Sequence, residues 1–470
     1  MGLTHANLLE RLAEFACNLK YEDLPEEVIR EAKRHFLDSL GCALGGTKDP
    51  AAVKIRKHLE KERTALCNSL ALGLPSLSLE RAANANTHLI RVLDFNDTYL
   101  SLEPAHPSDN WGGLIALLGY RGGLSGKDLI TAGVLAYEIQ CRFCDAASLR
   151  KEGVDHVFYL ALSSAFAAGK VLGLGKEEMQ SAASLALRWF PSRQVRAGSR
   201  LSECKGLSAA EAVEAGVKAA RLASFGATGP SEMIEGEFGL VNLILNGKSP
   251  NLGAFSSLGE EFKILKTHIK KWPVEYHAQA AVDAALAVRE IVGDIEKIKT
   301  IEVFSYEACK SIIGDVYKRS PDTKETADHS IYFILAAALL HGGITLEDYS
   351  LEKYLNPEIT QFIYGCVKDV EVLHSYDLDY SDKSSPTFPI MLIPRDENQK
   401  ALCVVEVKKP KGHFLNPMTD RELENKFWSL CEGVVSKTDT DNLVRLSRDL
   451  ENLSSYDLYW RFKFILGDEK

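Results

Sequence analysis

The chain has 470 residues, 46% of them hydrophobic and 26% charged, with a formal net charge of −10. That is the composition of an ordinary globular protein long enough for two or three domains. The acidic balance excludes a general nucleic-acid binder, which needs a basic face to displace phosphate counterions, so an anionic ligand has to be met by local cations. No apolar run approaches the roughly 20 residues of a membrane span. The opening MGLTHANLLERLAEFACNLKYEDLPEE has no signal-peptide core and too many acids for a transit peptide. This predicts a cytoplasmic protein with no membrane and no nucleic-acid partner.

In chain order, DLPEEVIREAKRHFLDSLGCALGG predicts a helix capped by Asp23, with Val28, Ala32, Phe36 and Leu40 on one face and Gly45 and Gly46 as its stop. THLIRVLD, LIALLGYRGG, LITAGVLAYEIQCRFCDAA, LALSSAFAAGKVLGL and KEEMQSAASLALRWF continue the helical pattern. Their many Ala, Gly and Ser residues suit close helix packing. Cys141 and Cys144 have CxxC spacing but lie within this pattern without a second pair, and read as two small buried residues on a helix face, not as metal ligands. GKVLGLGKEE lacks the spacing of a phosphate loop and reads as a helix end followed by a helix start. After about residue 262 the pattern changes. KTIEVFSY, VKDVEVLHS and ALCVVEVKKP alternate apolar and polar residues as strands do, with the helical HSIYFILAAALLHGG between the first two. DRELENKFWSLCEGVV and DTDNLVRLSRDLENL then return to helix. The expected fold is mainly α: a large all-helical domain built from residues 1–264 and 416–470, with a smaller α+β lid domain, 265–415, inserted between them.

Chemistry-bearing residues gather in DFNDTYLSLEPAHPSDN, residues 94–110. Pro104 and Pro107 hold Ala105 and His106 out of a helix. Asp94, Asp97, Thr98, His106, Ser108 and Asp109 there offer acids, hydroxyls and a proton-transfer group. Read singly, Asp94 and Asp97 are also turn caps, and Ser108 and Asp109 helix caps. RWFPSRQVRAGSRLSECK, residues 188–205, sets Arg188, Arg193, Arg196, Arg200 and Lys205 against one acid, Glu203. Such a group suits carboxylate binding, or else a solvated loop of ion pairs. Lys205 precedes the small-residue helix GLSAAEAVEAGVKAA, where the dipole disfavours a cation and a nearby anion compensates. His156 in GVDHVFY, Lys271 in HIKKWPVEYHAQ, and His329 and Tyr332 in KETADHSIYF are further candidates, the histidines reading equally as hydrogen-bonded core residues.

DFNDTY followed by HPSDN, then KWPVEYHAQAAVDAAL, KETADHS and KKPKGHFLNPMTDRELENKF, in this order over nearly the whole chain, resembles the MmgE/PrpD family, which includes 2-methylcitrate dehydratase and cis-aconitate decarboxylase. The resemblance implies a helical domain from both chain ends, an inserted lid, an active site between them, a homodimer, and no metal or other cofactor. It puts the family's active-site positions on Asp94, Thr98, His106, His156 and Lys205, with Arg193, Arg196, Lys271, His329 and Tyr332 as substrate-binding residues. Where members often carry a tyrosine four residues after the histidine of ADHS, this chain has Phe333, and the neighbouring phenol is Tyr332.

The implied function is a metal-independent dehydratase of a small tricarboxylate, 2-methylcitrate to 2-methyl-cis-aconitate. Loss of CO2 from cis-aconitate to give itaconate would use nearly the same residues, and isomerisation or epimerisation of another polycarboxylate is a third activity of this type. HPSDN running into Gly112 and Gly113 resembles the dehydratase members more. A member that has lost catalysis is the alternative from another class, and Lys205→Ala separates it, since a scaffold has no turnover to lose.

Overall fold

The computed structural model describes residues 7–62, 69–120, 124–198, 200–253, 261–381 and 386–466. The end of the helix predicted over LIALLGYRGG, residues 121–123, lies outside them, as do the first six residues.

The apolar periodicity becomes helix through most of the chain. The first stretch runs α1 (Leu8–Asn18), α2 (Glu26–Gly46), α3 (Pro50–Leu59), α4 (Leu79–Arg91), α5 (Asn110–Leu117), α6 (Gly126–Ala146), α7 (Val157–Val171), α8 (Lys176–Leu187), α9 (Cys204–Ala223) and the one-turn α10 (Leu240–Leu243). The middle stretch holds α11 (Gln279–Val292), β1 (Thr300–Ser305), α12 (Glu307–Ile313), α13 (Lys324–Ala327), α14 (Ile331–His341), α15 (Leu351–Tyr354), α16 (Pro357–Cys366), β2 (Val367–Val372), α17 (His374–Ser381), β3 (Ile390–Arg395) and β4 (Val405–Val407). The chain then returns to helix in α18 (Asp420–Cys431), α19 (Lys437–Arg448) and α20 (Ser455–Leu466). The fold is mainly α. Among the described residues, no helix is long and apolar enough to cross a membrane.

The chain divides into two compact units: Met1–Val195, Cys204–Thr267 and Thr419–Lys470 form the first, Arg196–Glu203 and His268–Met418 the second. The first unit is helical. Its α2 corrects two expectations. The helix starts after Pro25, and Asp23 instead accepts the Lys20 N–H at 2.8 Å in a preceding 3₁₀ turn. Gly45 and Gly46 lie inside the helix, not beyond it. Their role is close approach: a Cβ on Gly46 would meet the Leu89 carbonyl oxygen of α4, and one on Gly45 would stand 2.7 Å from Leu430 Cδ2 of α18. On its other side α4 meets α5, where a Cβ on Gly112 would lie 2.5 Å from the Thr87 backbone nitrogen. Bare backbone on both sides thus fixes the C-terminal half of α4. Cys141 and Cys144 of α6 are fully buried, and burial pushes both thiols well above their ordinary range, which keeps them protonated. GKVLGLGKEE resolves into the end of α7, Gly173 at φ +70°, and α8, whose Glu178 carboxylate accepts the Gly175 N–H at 2.9 Å.

The second unit carries a four-stranded sheet of order β2-β1-β3-β4, in which β1 and β2 are parallel and the other pairs antiparallel. Val303 of β1 stands opposite Leu392 of β3, which stands opposite Val405 of β4. Helix α11 packs on β3, β4 and α14. β3 was not among the expected strands. PIMLIPR is a nearly continuous apolar run without a polar alternation to reveal it, yet its residues alternate between buried and half-buried once paired.

Candidate active site

The site is assembled at the C-terminal end of α4. The helix has Asn86, Thr87, His88 and Arg91 buried in its last turns, an unusual polar load for a core helix and affordable only if each group is paired. After Arg91 the chain turns. The N–H of Asp94 donates to the Arg91 carbonyl at 3.1 Å, and Asp94 takes φ +50°, a left-handed conformation that Asp adopts more readily than most side chains. Its carboxylate accepts from the Arg91 guanidinium and lies 3.3 Å from Lys205 Nζ. Lys205 is in the first turn of α9, so Asp94 supplies the anion that a cation at a helix N-terminus needs. Arg91 Nε also lies 4.0 Å from Asp109. All four side chains are buried.

Beyond Asp94 the segment closes on itself. Tyr99 and Ala105 exchange both backbone hydrogen bonds, at 2.8 and 2.9 Å, which sets Thr98 and His106 side by side at the base of the loop. Thr98 Oγ1 is 3.3 Å from His106 Nδ1, and Nδ1 is 2.7 Å from the Asp97 carbonyl oxygen. That carbonyl accepts only, so Nδ1 carries the proton and the neutral ring keeps its lone pair on Nε2. The His156 ring at the start of α7 stands edge-on to His106, centroids 5.7 Å apart. His156 Nε2 is 3.7 Å from Asp155, whose carboxylate accepts from Ser208 of α9 at 3.3 Å. One helix, α9, therefore presents Lys205 to Asp94 and anchors the residue before His156.

A buried polar frame backs the loop. The Asp97 carboxylate accepts the Ser108 N–H at 3.0 Å and the Tyr137 hydroxyl at 2.6 Å, and lies 2.8 Å from His35 Nδ1. Asn96 donates to Ser108 and Asp109, both at 2.9 Å. From α18, Lys426 reaches the Phe95 carbonyl at 2.8 Å and Asp38 at 2.6 Å, its ammonium 3.8 Å above the Phe95 ring. Burial raises the Asp38 carboxyl above its ordinary value, with the Lys426 charge opposing the shift.

Of the residues singled out in the sequence, Asp94 and Lys205 meet, and Thr98, His106 and His156 form a contiguous group. Arg193 is half-buried on a segment clasped to the chain before His156: its N–H donates to the Gly153 carbonyl at 3.0 Å, and Ser192 bridges to Val154. Arg196, Lys271, His329 and Tyr332 belong to the second unit. There Lys271 lies over the Trp272 ring at 4.7 Å and His329 Nδ1 pairs with Asp328. The Tyr332 hydroxyl donates to the Gly314 carbonyl at 2.7 Å while Arg319 covers its ring at 4.2 Å, so this phenol is committed to the unit's own packing. Phe333 is buried against Tyr349. Sequence reasoning missed Arg91, His35, Tyr137 and Lys426. Arg91 alone left a signal, as a basic residue one turn before Asp94 at the end of a helix whose other charged residues, Glu80 and Arg81, lie in its first turn.

Two family models match the chain: the MmgE/PrpD N-terminal domain over residues 10–253 and the MmgE/PrpD C-terminal domain over residues 272–452. A probable 2-methylcitrate dehydratase of Saccharomyces cerevisiae is 30% identical over 444 residues, covering 88% of this chain and 84% of that protein. The 2-methylcitrate dehydratase of Escherichia coli K12 is 30% identical over 358 residues, 70% of this chain and 71% of its own. Human cis-aconitate decarboxylase is 24% identical over 467 residues, 95% of this chain and 92% of that protein. With both domain models matched in order and these relatives aligned over most of its length, the chain belongs to the MmgE/PrpD family.

Proposed function

We propose that the protein is a hydro-lyase that dehydrates a tricarboxylate, 2-methylcitrate to 2-methyl-cis-aconitate, without a metal or other cofactor. The observation that carries this reading is the pairing of a tautomer-fixed histidine with a second imidazole, His106 and His156, in the same helical unit as the buried Lys205–Asp94 pair. Dehydration removes a weakly acidic C–H proton and a hydroxyl group. His106 accepts the proton at Nε2, and His156, protonated, delivers one to the departing hydroxyl, which leaves as water. Lys205, with Arg193 on the adjoining segment, stabilises charge building on the carboxylate beside the carbanion-like centre. Thr98 orients His106, and Asp94 holds Lys205 in place. In the second unit, Arg196, Lys271 and His329 are proposed carboxylate-binding residues. The names of the yeast and bacterial relatives support the dehydratase reading. The human relative keeps decarboxylation of cis-aconitate as the second reading, because loss of CO2 also leaves a carbanion beside a carboxylate.

As domain bounds we propose 1–264 with 416–470 for the helical domain and 265–415 for the α+β domain, in a cytoplasmic homodimer that sedimentation would report. The test of function is incubation of the purified protein, with chelator present, with 2-methylcitrate, citrate and cis-aconitate, followed by NMR and CO2 measurement. Formation of 2-methyl-cis-aconitate or cis-aconitate without CO2 is the expected result. Itaconate with CO2 moves the reading to the decarboxylase, and three unchanged substrates in a folded sample reject both.

A further inference from the structure

We infer that Asp97 is the positioning residue for His106, holding through its backbone carbonyl the tautomer that leaves Nε2 as proton acceptor and, through its side chain, the orientation of that carbonyl. The inference rests on the proposed role of His106 for its catalytic meaning, but its structural half stands on geometry alone.

Asp97 is fully buried and its two functional groups work in different directions. The carbonyl points to His106 Nδ1 at 2.7 Å. The carboxylate is fixed by two hydrogen bonds, Oδ1 taking the Ser108 N–H at 3.0 Å and Oδ2 the Tyr137 hydroxyl at 2.6 Å, and the His35 ring stands beside Oδ2 with Nδ1 at 2.8 Å. Tyr137 is itself fixed, because its oxygen accepts from Trp111 Nε1 at 3.2 Å and its proton must therefore go to Asp97. Burial and the adjacent Asp97 charge hold this phenol well above its ordinary titration range, which keeps it a donor.

These contacts span the loop at its narrowest point. Residues 97 and 108 flank the 99–105 closure, so the Ser108 contact ties its two ends, and Tyr137 and His35 tie that junction to α6 and α2. A carboxylate has acceptor capacity for both hydrogen bonds, and no donor to oppose them. An amide of the same shape does not: its NH2 must face either the Ser108 N–H or the Tyr137 hydroxyl, placing donor against donor in a buried site. Relief of that conflict rotates the 97 backbone and takes the carbonyl away from Nδ1. A turn-capping aspartate would lose stability on the same substitution but would leave the His106 tautomer as it was.

The experiment compares wild type and Asp97→Asn, each labelled with 15N-histidine, by long-range imidazole NMR, with the His106 signal identified through His106→Gln, alongside steady-state turnover. The wild type is expected to show the Nδ1–H form of His106. Asp97→Asn is expected to shift it toward Nε2–H and to lower kcat by ~10-fold or more, since general acid–base groups contribute about 10²–10⁴-fold, with KM changed by less than about 3-fold. An unchanged His106 signal in the variant, or an Nε2–H form in the wild type, overturns the inference; so does an active variant whose kcat ignores a shifted tautomer. A shifted tautomer in a protein that turns over none of the three acids supports the structural assignment and rejects the proposed function instead. Should Asp97→Asn fail to fold, Tyr137→Phe removes one donor while keeping the ring. It is expected to give a smaller shift in the same direction, and no shift there overturns the inference.

Discussion

Lys205 Nζ lies 3.3 Å from Asp94 Oδ2, and both side chains are almost wholly buried. A lysine at a helix N-terminus facing a left-handed aspartate is a costly arrangement, and the pair is what makes it tolerable. Lys205→Met is expected to lower kcat/KM by about 10²–10³-fold, the range for loss of a charge-stabilising donor. The fold should survive, because Arg91 still pairs with Asp94. Denaturant titration should show a loss of roughly 1–3 kcal/mol, less than the 3–5 of a fully orphaned buried charge. Adding Asp94→Asn should cost further stability, because it takes the carboxylate from the buried Arg91 as well, and should restore no turnover.

The Asp38–Lys426 pair predicts a pH signature. A carboxyl titrating above its ordinary 3.8 favours the folded state below the unfolded value, and that advantage is lost as pH rises through the folded value. Lys426→Met removes the charge that opposes this shift. Its destabilisation relative to wild type, on the order of 3–5 kcal/mol at neutral pH, should therefore grow as pH rises from about 4. Urea melts of both proteins between pH 4.5 and 8 check this, and a gap that narrows with pH would contradict it.

His413 predicts the opposite slope in the second unit. Its Nδ1 accepts the Leu415 N–H at 2.9 Å and its Nε2 is 3.0 Å from the Pro386 carbonyl, so the neutral ring uses both nitrogens. Burial lowers its titration from 6.5 to about 4. A depressed histidine makes the unfolded chain bind the extra proton, so stability falls as pH drops from 6.5 toward 4, by roughly 3 kcal/mol in full. Hydrogen-exchange protection factors across residues 386–415, taken relative to intrinsic exchange at each pH, should fall over that window in wild type, and His413→Gln should flatten the pH dependence.

Tyr332→Phe should leave KM within about 2-fold of wild type and cost about 1–2 kcal/mol, the range for stranding a buried hydrogen-bond partner, here the Gly314 carbonyl. A large rise in KM with unchanged stability would instead return this phenol to the substrate.

Much of the helical architecture was legible because 3.6-residue periodicity is a local signal. The glycine pair ending α2 misled for a physical reason: glycine permits both a helix stop and a close helix contact, and only the positions of Leu89 and Leu430 decide between them. β3 was hidden because a run apolar on both faces has no period to read. In the site, residues 94–110 were conspicuous as a concentration of polar groups. Their supports were not: Asp97 is joined to His35 and Tyr137 by packing, 62 and 40 residues away in sequence, and nothing local marks such partners.

The contact between Lys426 and the Phe95 carbonyl joins residues 331 positions apart. Domains are made N-terminus first, so during synthesis the loop bearing Asp94 and His106 is complete in sequence long before α18 exists. Its buried carbonyl must wait for a cation that arrives 331 residues later, and Asp38 waits for the same cation. A chain truncated before Lys426 would thus carry every proposed catalytic side chain above an unfinished floor, and completion of the site doubles as a check that synthesis has passed α18.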